Sequence, residues 1–523
     1  MAQTIPAKAE TAEIISRDPT TGEEIGRAPL TMPEEVARAV GRARAAQSAW
    51  AARSFDDRGR LIMKARRIIL KELDQIALLI SRETGKPVAE AISMEITPSL
   101  DLMQFFARNT SSLLLPQRIN IGLYGWMGRS SYIINKPLGV VGIISPWNFP
   151  WATPLAEIVM ALMAGNAVVV KPSELTPLTA LKIKSVLAQA GLADGLLQVV
   201  TGDGSTGAAL IGAGTDKIIF TGSVATGKRV AEAAANYLIP VVLELGGKCP
   251  MIVLEDAHIE NAARGAVWGA FANSGQACAS VERCYVHESI ADKFINAVVK
   301  ETKNLRQSGD KQGDVGSMAS EQQLRTVERH VYEATARGAT ALTGGERVPD
   351  VAGPFFPPTV LTNVDHEMAV MTEETFGPVM PIMTFKTDDE AVRLANDSIY
   401  GLTASVWTGN LSRGKLLAER IDAGTVMVNE VLYTHAVAQT PWGGIKQSGF
   451  GRTHGRAGLM ELVSQQHIHV NRFASTPDLW WFNYTASAGR LFRDLAKRFA
   501  SGSIFQTMLV IPQMIRRLNE RRK

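Results

Sequence analysis

The stretch that decides the fold is Gly139-Val-Val-Gly-Ile-Ile-Ser-Pro-Trp-Asn-Phe-Pro150, an apolar run that stops abruptly at Ser-Pro. A short apolar run bounded by turn residues reads as a strand buried on both faces. Similar runs lie at 167–170, 217–220 and 240–243, and helix-like segments at 155–164, 178–190 and 225–237 separate them. Strand–helix alternation of this kind implies an α/β fold in which helices cover both faces of a doubly wound parallel sheet. Working outward, Thr31-Met-Pro-Glu34 reads as a capping box that opens a helix to about residue 50. Leu61, Ala65, Ile68, Ile69, Leu73, Ile76 and Leu79 then recur at helical spacing and predict one longer helix. Downstream, 247–462 repeats the α/β texture, with strands expected at 250–254, 379–385, 404–407 and 425–428.

The bulk numbers set the frame. With 523 residues, the chain exceeds what one hydrophobic core serves, so at least two domains are expected. Hydrophobic residues at 46% and charged residues at 20% describe a soluble globular protein. The net charge of +4 is unevenly spread: residues 475–523 hold nine Lys and Arg against three Asp and Glu, a net +6, which leaves −2 for 1–474. The body therefore offers nothing to nucleic acid. Three cysteines, Cys249, Cys278 and Cys284, suit neither a disulfide framework nor a CxxC metal site, and no metal is expected. Residues 1–16 carry acidic side chains and no long apolar core, unlike a signal peptide, and no apolar run of about 18 residues is present to span a membrane. A cytoplasmic setting is expected.

Five stretches carry chemistry. Phe271 to Arg283 reads FANSGQACASVER, in which small neighbours suit a Cys278 thiol that must approach a substrate carbon, a buried structural cysteine being the alternative. Ser145-Pro-Trp-Asn-Phe-Pro150 places the Asn148 amide after a strand, at the carboxyl end where α/β sheets bind ligands. Leu243-Glu-Leu-Gly-Gly-Lys248 places Glu244 beside two glycines that let other backbone come close. Glu373-Glu-Thr-Phe-Gly-Pro378 offers carboxylates before a turn. Phe220-Thr-Gly-Ser-Val-Ala-Thr-Gly227 is a glycine-bearing loop between strand and helix, where N-terminal amides hold phosphate, although its G-x-x-x-x-G spacing is not the usual dinucleotide fingerprint.

Together these stretches, with KPSELTP at 171–177, resemble the signatures of the aldehyde dehydrogenase superfamily, in order and at ordinary spacing, over roughly 15–470. The resemblance implies a Rossmann-like NAD-binding domain (1–116 and 138–246), an α/β catalytic domain (247–462) and a small β oligomerisation element (117–137 with 463–475), leaving 476–523 as an extension. It implies oxidation of an aldehyde to its acid, with Cys278 as nucleophile, Asn148 and the Cys278 N–H as oxyanion donors, and Glu244 as base for hydrolysis of the thioester. Cofactor contacts carry over to Lys171 and Glu174 at the adenine ribose, to Gly222 and Ser223 at the pyrophosphate, and to Glu374 at the nicotinamide ribose; Trp147 and Phe376 line the same cleft. NAD is the cofactor implied by Glu174, whose charge opposes a 2′-phosphate; NADP is the alternative. A homodimer or homotetramer is implied. The alternatives in activity are a semialdehyde dehydrogenase, a coenzyme A-acylating enzyme (disfavoured by Glu244) and, more distantly, a non-catalytic binding protein.

By the same resemblance, Ala156 and Ala436 fall where relatives that prefer small aldehydes carry bulky aromatics, with Phe149 and Trp442 left as aromatic walls. This implies a tunnel for a medium or long aliphatic, or aromatic, aldehyde; a shifted backbone that leaves the tunnel no wider is the alternative. An apparent insertion, 432–435, adjoins Ala436. In the extension, Leu491, Phe492, Leu495, Ala496 and Phe499 fall on one helical face among Arg490, Arg493, Lys497 and Arg498, after an aromatic cluster at 479–482 and before an apolar run at 504–515. A basic amphipathic helix with tryptophans suits peripheral membrane contact. Docking on the oligomer and gating of the tunnel are the alternatives.

Overall fold

The computed structural model of the chain describes residues 12–347, 351, 353–502 and 508–522. Most of the expected N-terminal stretch 1–16, and residues 504–507 of the apolar run 504–515, lie outside the described residues. Described residues of Met1–Leu114 and Lys136–Ser464 form one compact unit, and those of Leu115–Asn135 and Gln465–Lys523 form another.

The first unit is built on two sheets. The decisive stretch forms the strand Val140–Ile144, buried at every position. It sits inside a six-stranded sheet whose order is Gly449–Phe450, Val241–Glu244, Lys217–Thr221, Val140–Ile144, Ala167–Lys171, Leu197–Val199. The chain winds outward from Val140–Ile144 to one edge, then returns to its other side with Lys217–Thr221. The switch point therefore lies between Val140–Ile144 and Lys217–Thr221, and the loops after these strands open the crevice where such sheets bind ligands.

The second sheet has seven strands, ordered Thr340–Thr343, Thr359–Thr362, Val379–Phe385, Val281–His287, Cys249–Val253, Thr403–Trp407, Thr425–Val428. All pairings are parallel except that of Thr340–Thr343 with Thr359–Thr362. The chain does not stay with this sheet to residue 462. Gly449–Phe450 pairs antiparallel with Val241–Glu244, and Ala438, Leu459 and Leu462 join the core of the first sheet. Apolar side chains in this return segment bury against the first core.

Two local expectations are corrected. Thr31 does not cap the first helix: Pro33–Ala51 starts after Met32 with no side-chain cap, and the Thr31 hydroxyl instead accepts from the Thr201 N–H at 3.0 Å. The periodic stretch 61–79 is two helices, Phe55–Lys71 and Leu73–Thr84, interrupted at Glu72 with φ −106° and ψ 19°. Apolar spacing survives the break because Ile69 and Ile76 are both fully buried.

In the second unit, Gln117–Ile119 pairs antiparallel with Arg129–Pro137, and Val463–Asn471 lies on the other side of that strand. The helices Ala486–Ala500 and Ile511–Arg522 follow. Among the described residues no helix is long and apolar enough to cross a membrane.

Candidate active site

Within the first unit, the carboxyl ends of the first sheet face the amino-terminal ends of the second. A cavity of about 410 Å³ opens there, lined by Trp147, Asn148, Gly222, Ser223, Glu244, Cys278, Glu374 and Phe376 among others. Eight residues singled out from the sequence thus converge. Lys171 and Glu174 do not line it: they stand at and beyond the end of Ala167–Lys171 and face each other at 3.5 Å.

Cys278 is placed by a turn whose backbone leaves little choice. Asn273, Ser274 and Gly275 all have positive φ (53°, 57° and 70°), a run that only surrounding bonds can hold. Asn273 N–H donates to Glu90, its Nδ2 to the carbonyls of Asn148 and Gln276, and Ser274 Oγ to Gly316 O at 3.0 Å. Gln276 is tied down by its Nε2, which donates to Asn273 O, and by its Oε1, which accepts from Ala319 N–H. The thiol then stands half-buried in the cavity wall.

Asn148 follows Val140–Ile144 and is 5% exposed. Its Nδ2 donates one bond to Gln276 O at 3.0 Å. An amide nitrogen has two protons, so the second is left for an oxygen in the cavity. The buried ammonium of Lys86 donates to Asn148 O at 2.8 Å and to Glu95 at 2.6 Å, fixing the loop from behind.

Glu244 ends its strand with both carboxyl oxygens buried and without a hydrogen-bond partner among the described residues. Burial first, then the neighbouring Glu157, holds its carboxyl well above the usual range, with Arg452 opposing. The Cys278 thiol is likewise pushed up by burial and then by Cys249, Glu374 and Glu244; the Ala279 N–H acts the other way. A nucleophile in this setting needs a base to take its proton, and Glu244 lines the same cavity.

The glycine pair after Glu244 has a packing reason. A Cβ on Gly246 would overlap the Glu374 carboxylate, and one on Gly247 would overlap the Cys278 carbonyl. Gly247 N–H donates to Glu374 at 2.9 Å, and burial lifts that carboxyl to about 8. Lys248 then pairs with Glu282 at 2.6 Å, and Glu282 accepts from the Thr375 and Phe376 N–H groups at 2.7 and 2.8 Å. Three separate stretches of sequence are thereby locked by one buried charge pair.

The residues also fit a dinucleotide. Ser223 caps the helix Val224–Ala235 by accepting from Thr226 N–H, and Gly222 and Ser223 bring that helix start to the cavity edge. Trp147 and Phe376 stand edge to face at 5.5 Å beside Glu374, as a flat ring and a ribose would require.

Sequence reasoning missed several groups. Glu157, the one charged residue of the helix Ala152–Ala164, lines the cavity with its carboxyl lifted by burial to about 8. A lone carboxylate among buried apolar positions was the signal that could have found it. Ala156 and Ala436 both line the cavity, as do Phe149 and Trp442. The inserted stretch folds into a short turn, Tyr433–Ala436, which adds Leu432, Tyr433 and His435 to the wall. His435 packs on Trp442 at 4.9 Å and on His454 at 4.7 Å. Burial lowers His435 to about 4, and His454 lies well below its usual value from burial and from His435, so both are neutral at physiological pH.

Comparison with known proteins agrees with this geometry. The model of the Aldehyde dehydrogenase family matches residues 6–468. A 4,4'-diapolycopene aldehyde oxidase of Methylomonas sp is 38% identical over 92% of this chain and 90% of its own length. A protein of Mycolicibacterium smegmatis, provisionally named succinate-semialdehyde dehydrogenase [NADP(+)], is 40% identical over 86% of this chain and 87% of its own. Among solved structures, an NAD-dependent aldehyde dehydrogenase from Sinorhizobium meliloti superposes with a TM-score of 0.86 at 36% identity, covering 91% of this chain and 94% of that one. An aldehyde dehydrogenase from Bacillus cereus, solved as an NAD+ complex, gives 0.84 at 34% identity, covering 88% and 94%. With the family's model matching nearly its whole length, the chain belongs to the aldehyde dehydrogenase family and is an NAD(P)-dependent oxidoreductase acting on an aldehyde group.

Proposed function

We propose that the chain oxidises an uncharged, apolar aldehyde to the free acid, with Cys278 as nucleophile and Glu244 as base. One observation carries the substrate class: among the described residues lining the cavity there is no Lys or Arg. The two histidines there are neutral, and the other titratable side chains in the wall are the thiol, the Tyr433 phenol and the carboxyls Glu157, Glu244 and Glu374. A semialdehyde carrying its own carboxylate would shed its hydration without gaining a cationic partner. Met94, Phe149, Trp268, Leu432 and Trp442 offer apolar surface instead. The relative named 4,4'-diapolycopene aldehyde oxidase accords with this reading; the mycobacterial relative's name supports the semialdehyde alternative. Medium-chain and aromatic aldehydes should exceed succinate semialdehyde in kcat/KM by about 10²-fold or more. Equal values, measured as NADH formation, would overturn the substrate class.

In this reading Glu244 accepts the Cys278 proton as sulfur bonds to the aldehyde carbon. Asn148 Nδ2 and the Cys278 N–H donate to the oxygen that becomes negative. NAD, when bound, accepts the hydride. Gly222 and Ser223 would hold its pyrophosphate, Lys171 and Glu174 its adenine ribose, and Glu374 its nicotinamide ribose beside Trp147 and Phe376. After the proton taken from Cys278 has passed to solvent, Glu244 takes a proton from the water that attacks the thioester, and the carbon–sulfur bond breaks to give the acid and the Cys278 thiolate.

Glu157 tunes that base. Its Oε1 meets the Thr221 hydroxyl at 3.5 Å, and Thr221 pairs with Glu244 on the neighbouring strand. The charged groups facing Glu244 are Glu157, Arg452 and Glu461. Because an ionised Glu157 disfavours ionisation of Glu244, Glu157→Gln should lower the pH at which Glu244 loses its proton. The acidic limb of the kcat–pH profile should move to lower pH; an unmoved limb counts against the pairing.

For assembly and setting, the proposal is a homodimer or homotetramer formed through the three-stranded sheet, whose strand Val463–Asn471 is exposed over most of its length. The unpaired state of Cys249, Cys278 and Cys284 suits a reducing cytoplasm. Peripheral contact of the extension with a membrane belongs to the same proposal.

A further inference from the structure

The second unit presents an aromatic surface that its own core does not use. Leu479, Leu491, Leu495, Val510 and Met514 form that core between the helices Ala486–Ala500 and Ile511–Arg522. The helical face read from the sequence is therefore divided: Leu491 and Leu495 are buried, Phe492 is half-buried, and Ala496 and Phe499 stay outside. The amphipathic stripe serves the hairpin's interior, so it is not what this unit offers to a partner.

What it offers is the preceding loop. Trp481 is 60% exposed and Phe482 83%, with Trp480 and Tyr484 exposed beside them. Three of these rings are connected through Phe492: Phe482 lies 5.1 Å from Tyr484, Tyr484 lies 6.2 Å from Phe492, and Phe492 stacks on Trp480 at 5.5 Å, with Trp481 adjacent in the chain. A contiguous exposed aromatic patch calls for a partner, since scattered apolar side chains are ordinary and clusters are not.

The loop is also held in place. Arg517 is only 3% exposed, yet its Nη2 donates to the carbonyls of Asn483 at 2.6 Å and Trp481 at 3.3 Å, and its Nη1 to the Thr485 hydroxyl at 3.5 Å. A buried guanidinium committed to loop carbonyls fixes the backbone from within while the aromatic side chains stay outside. On the helices that follow this loop, Arg490, Arg493 and Lys497 are exposed on the first and Arg516 on the second.

We propose that this loop is a lipid-contact surface, in which Trp480, Trp481, Phe482 and Tyr484 enter the interfacial layer of a bilayer and the arginines and Lys497 of the following helices face anionic headgroups. Amphipathic rings settle at the headgroup level, and basic residues near an anionic surface add to the attraction. Charge complementarity selects the occupant: the net +6 of 475–523 suits an anionic lipid face and opposes pairing with the same segment of a second copy. With no described helix fit to span a bilayer, the contact is peripheral. The surface stands whichever aldehyde the active site prefers.

The test is co-sedimentation of the full-length enzyme with vesicles of phosphatidylcholine alone and of phosphatidylcholine with phosphatidylserine, alongside NADH formation on a water-soluble aldehyde. Wild type should pellet with the serine-containing vesicles, and less as salt is raised. The double variant Trp481→Ala, Phe482→Ala should lose about tenfold or more in vesicle affinity with turnover unchanged. The pair Arg490→Glu, Arg493→Glu should lose the preference for phosphatidylserine, again with normal turnover, which shows that the fold survives. Failure of wild type to pellet with either vesicle overturns the proposal, as does undiminished binding by the aromatic variant. A concentration-dependent mass change without lipid, abolished by that variant, would overturn it in favour of a second copy of the chain.

Discussion

Glu244→Gln should release about one equivalent of NADH per active site in a fast burst and then turn over slowly. The carboxyl oxygens of Glu244 have no hydrogen-bond partner among the described residues, so the isosteric amide should cost the fold little. What it removes is the base that activates water. Thioester formation needs that base only to start the thiol, and water reaching the half-buried Cys278 can take that proton for the first turnover. Hydrolysis needs it every cycle. Loss of a general base lowers the step by about 10²–10⁴-fold. Rapid-mixing absorbance at 340 nm reads both phases, and a steady state at the wild-type rate would exclude Glu244 from deacylation. A requirement of wild type for coenzyme A before NADH appears would point instead to the acylating alternative.

Cys278→Ala should abolish NADH formation, by on the order of 10⁵-fold or more, because no other group in the cavity can hold the acyl carbon. Cys249 is too confined to substitute: it is 3% exposed, with a thiol pushed by burial to about 11. The variant should still bind NAD, followed by quenching of tryptophan fluorescence, since Trp147 stands at the cavity edge. Full activity in this variant would end the covalent mechanism.

Much of this was legible in the sequence because the relevant signals are local. The strand Val140–Ile144 is apolar at every position since both its faces are covered, and its termination by Ser-Pro marks the loop that carries Asn148. Short motifs such as LELGGK could be read because each residue answers to an immediate neighbour: a carboxyl at a strand end, then glycines where another chain passes. Groups set by distant packing were hidden. Nothing near His435 announces that it meets Trp442 and His454 edge to face, because the contact depends on how the 432–436 turn closes. Thr31 looked like a helix cap, but a tertiary partner, Thr201, claimed its hydroxyl. The helix break at Glu72 leaves apolar periodicity intact and so leaves no trace in the spacing. Strands such as Thr340–Thr343 and Thr359–Thr362 are too short to rise above the loops around them.

The buried pair of Lys248 and Glu282, with the Thr375 and Phe376 amides gathered on the same carboxylate, bears on how such a protein can change over time. Loss of either Lys248 or Glu282 strands a charge in the interior, at about 3–5 kcal/mol, and a displaced 375–376 backbone would strip the carboxylate of two amide donors. These stretches must therefore be inherited as a set, and a graft of one from a distant relative should fail without the others. The Tyr433–Ala436 turn is under no such constraint: it holds no buried charge pair, and Tyr433, His435 and Ala436 line the cavity wall. New substrate preferences can arise there by insertion or drift while the reaction itself is conserved.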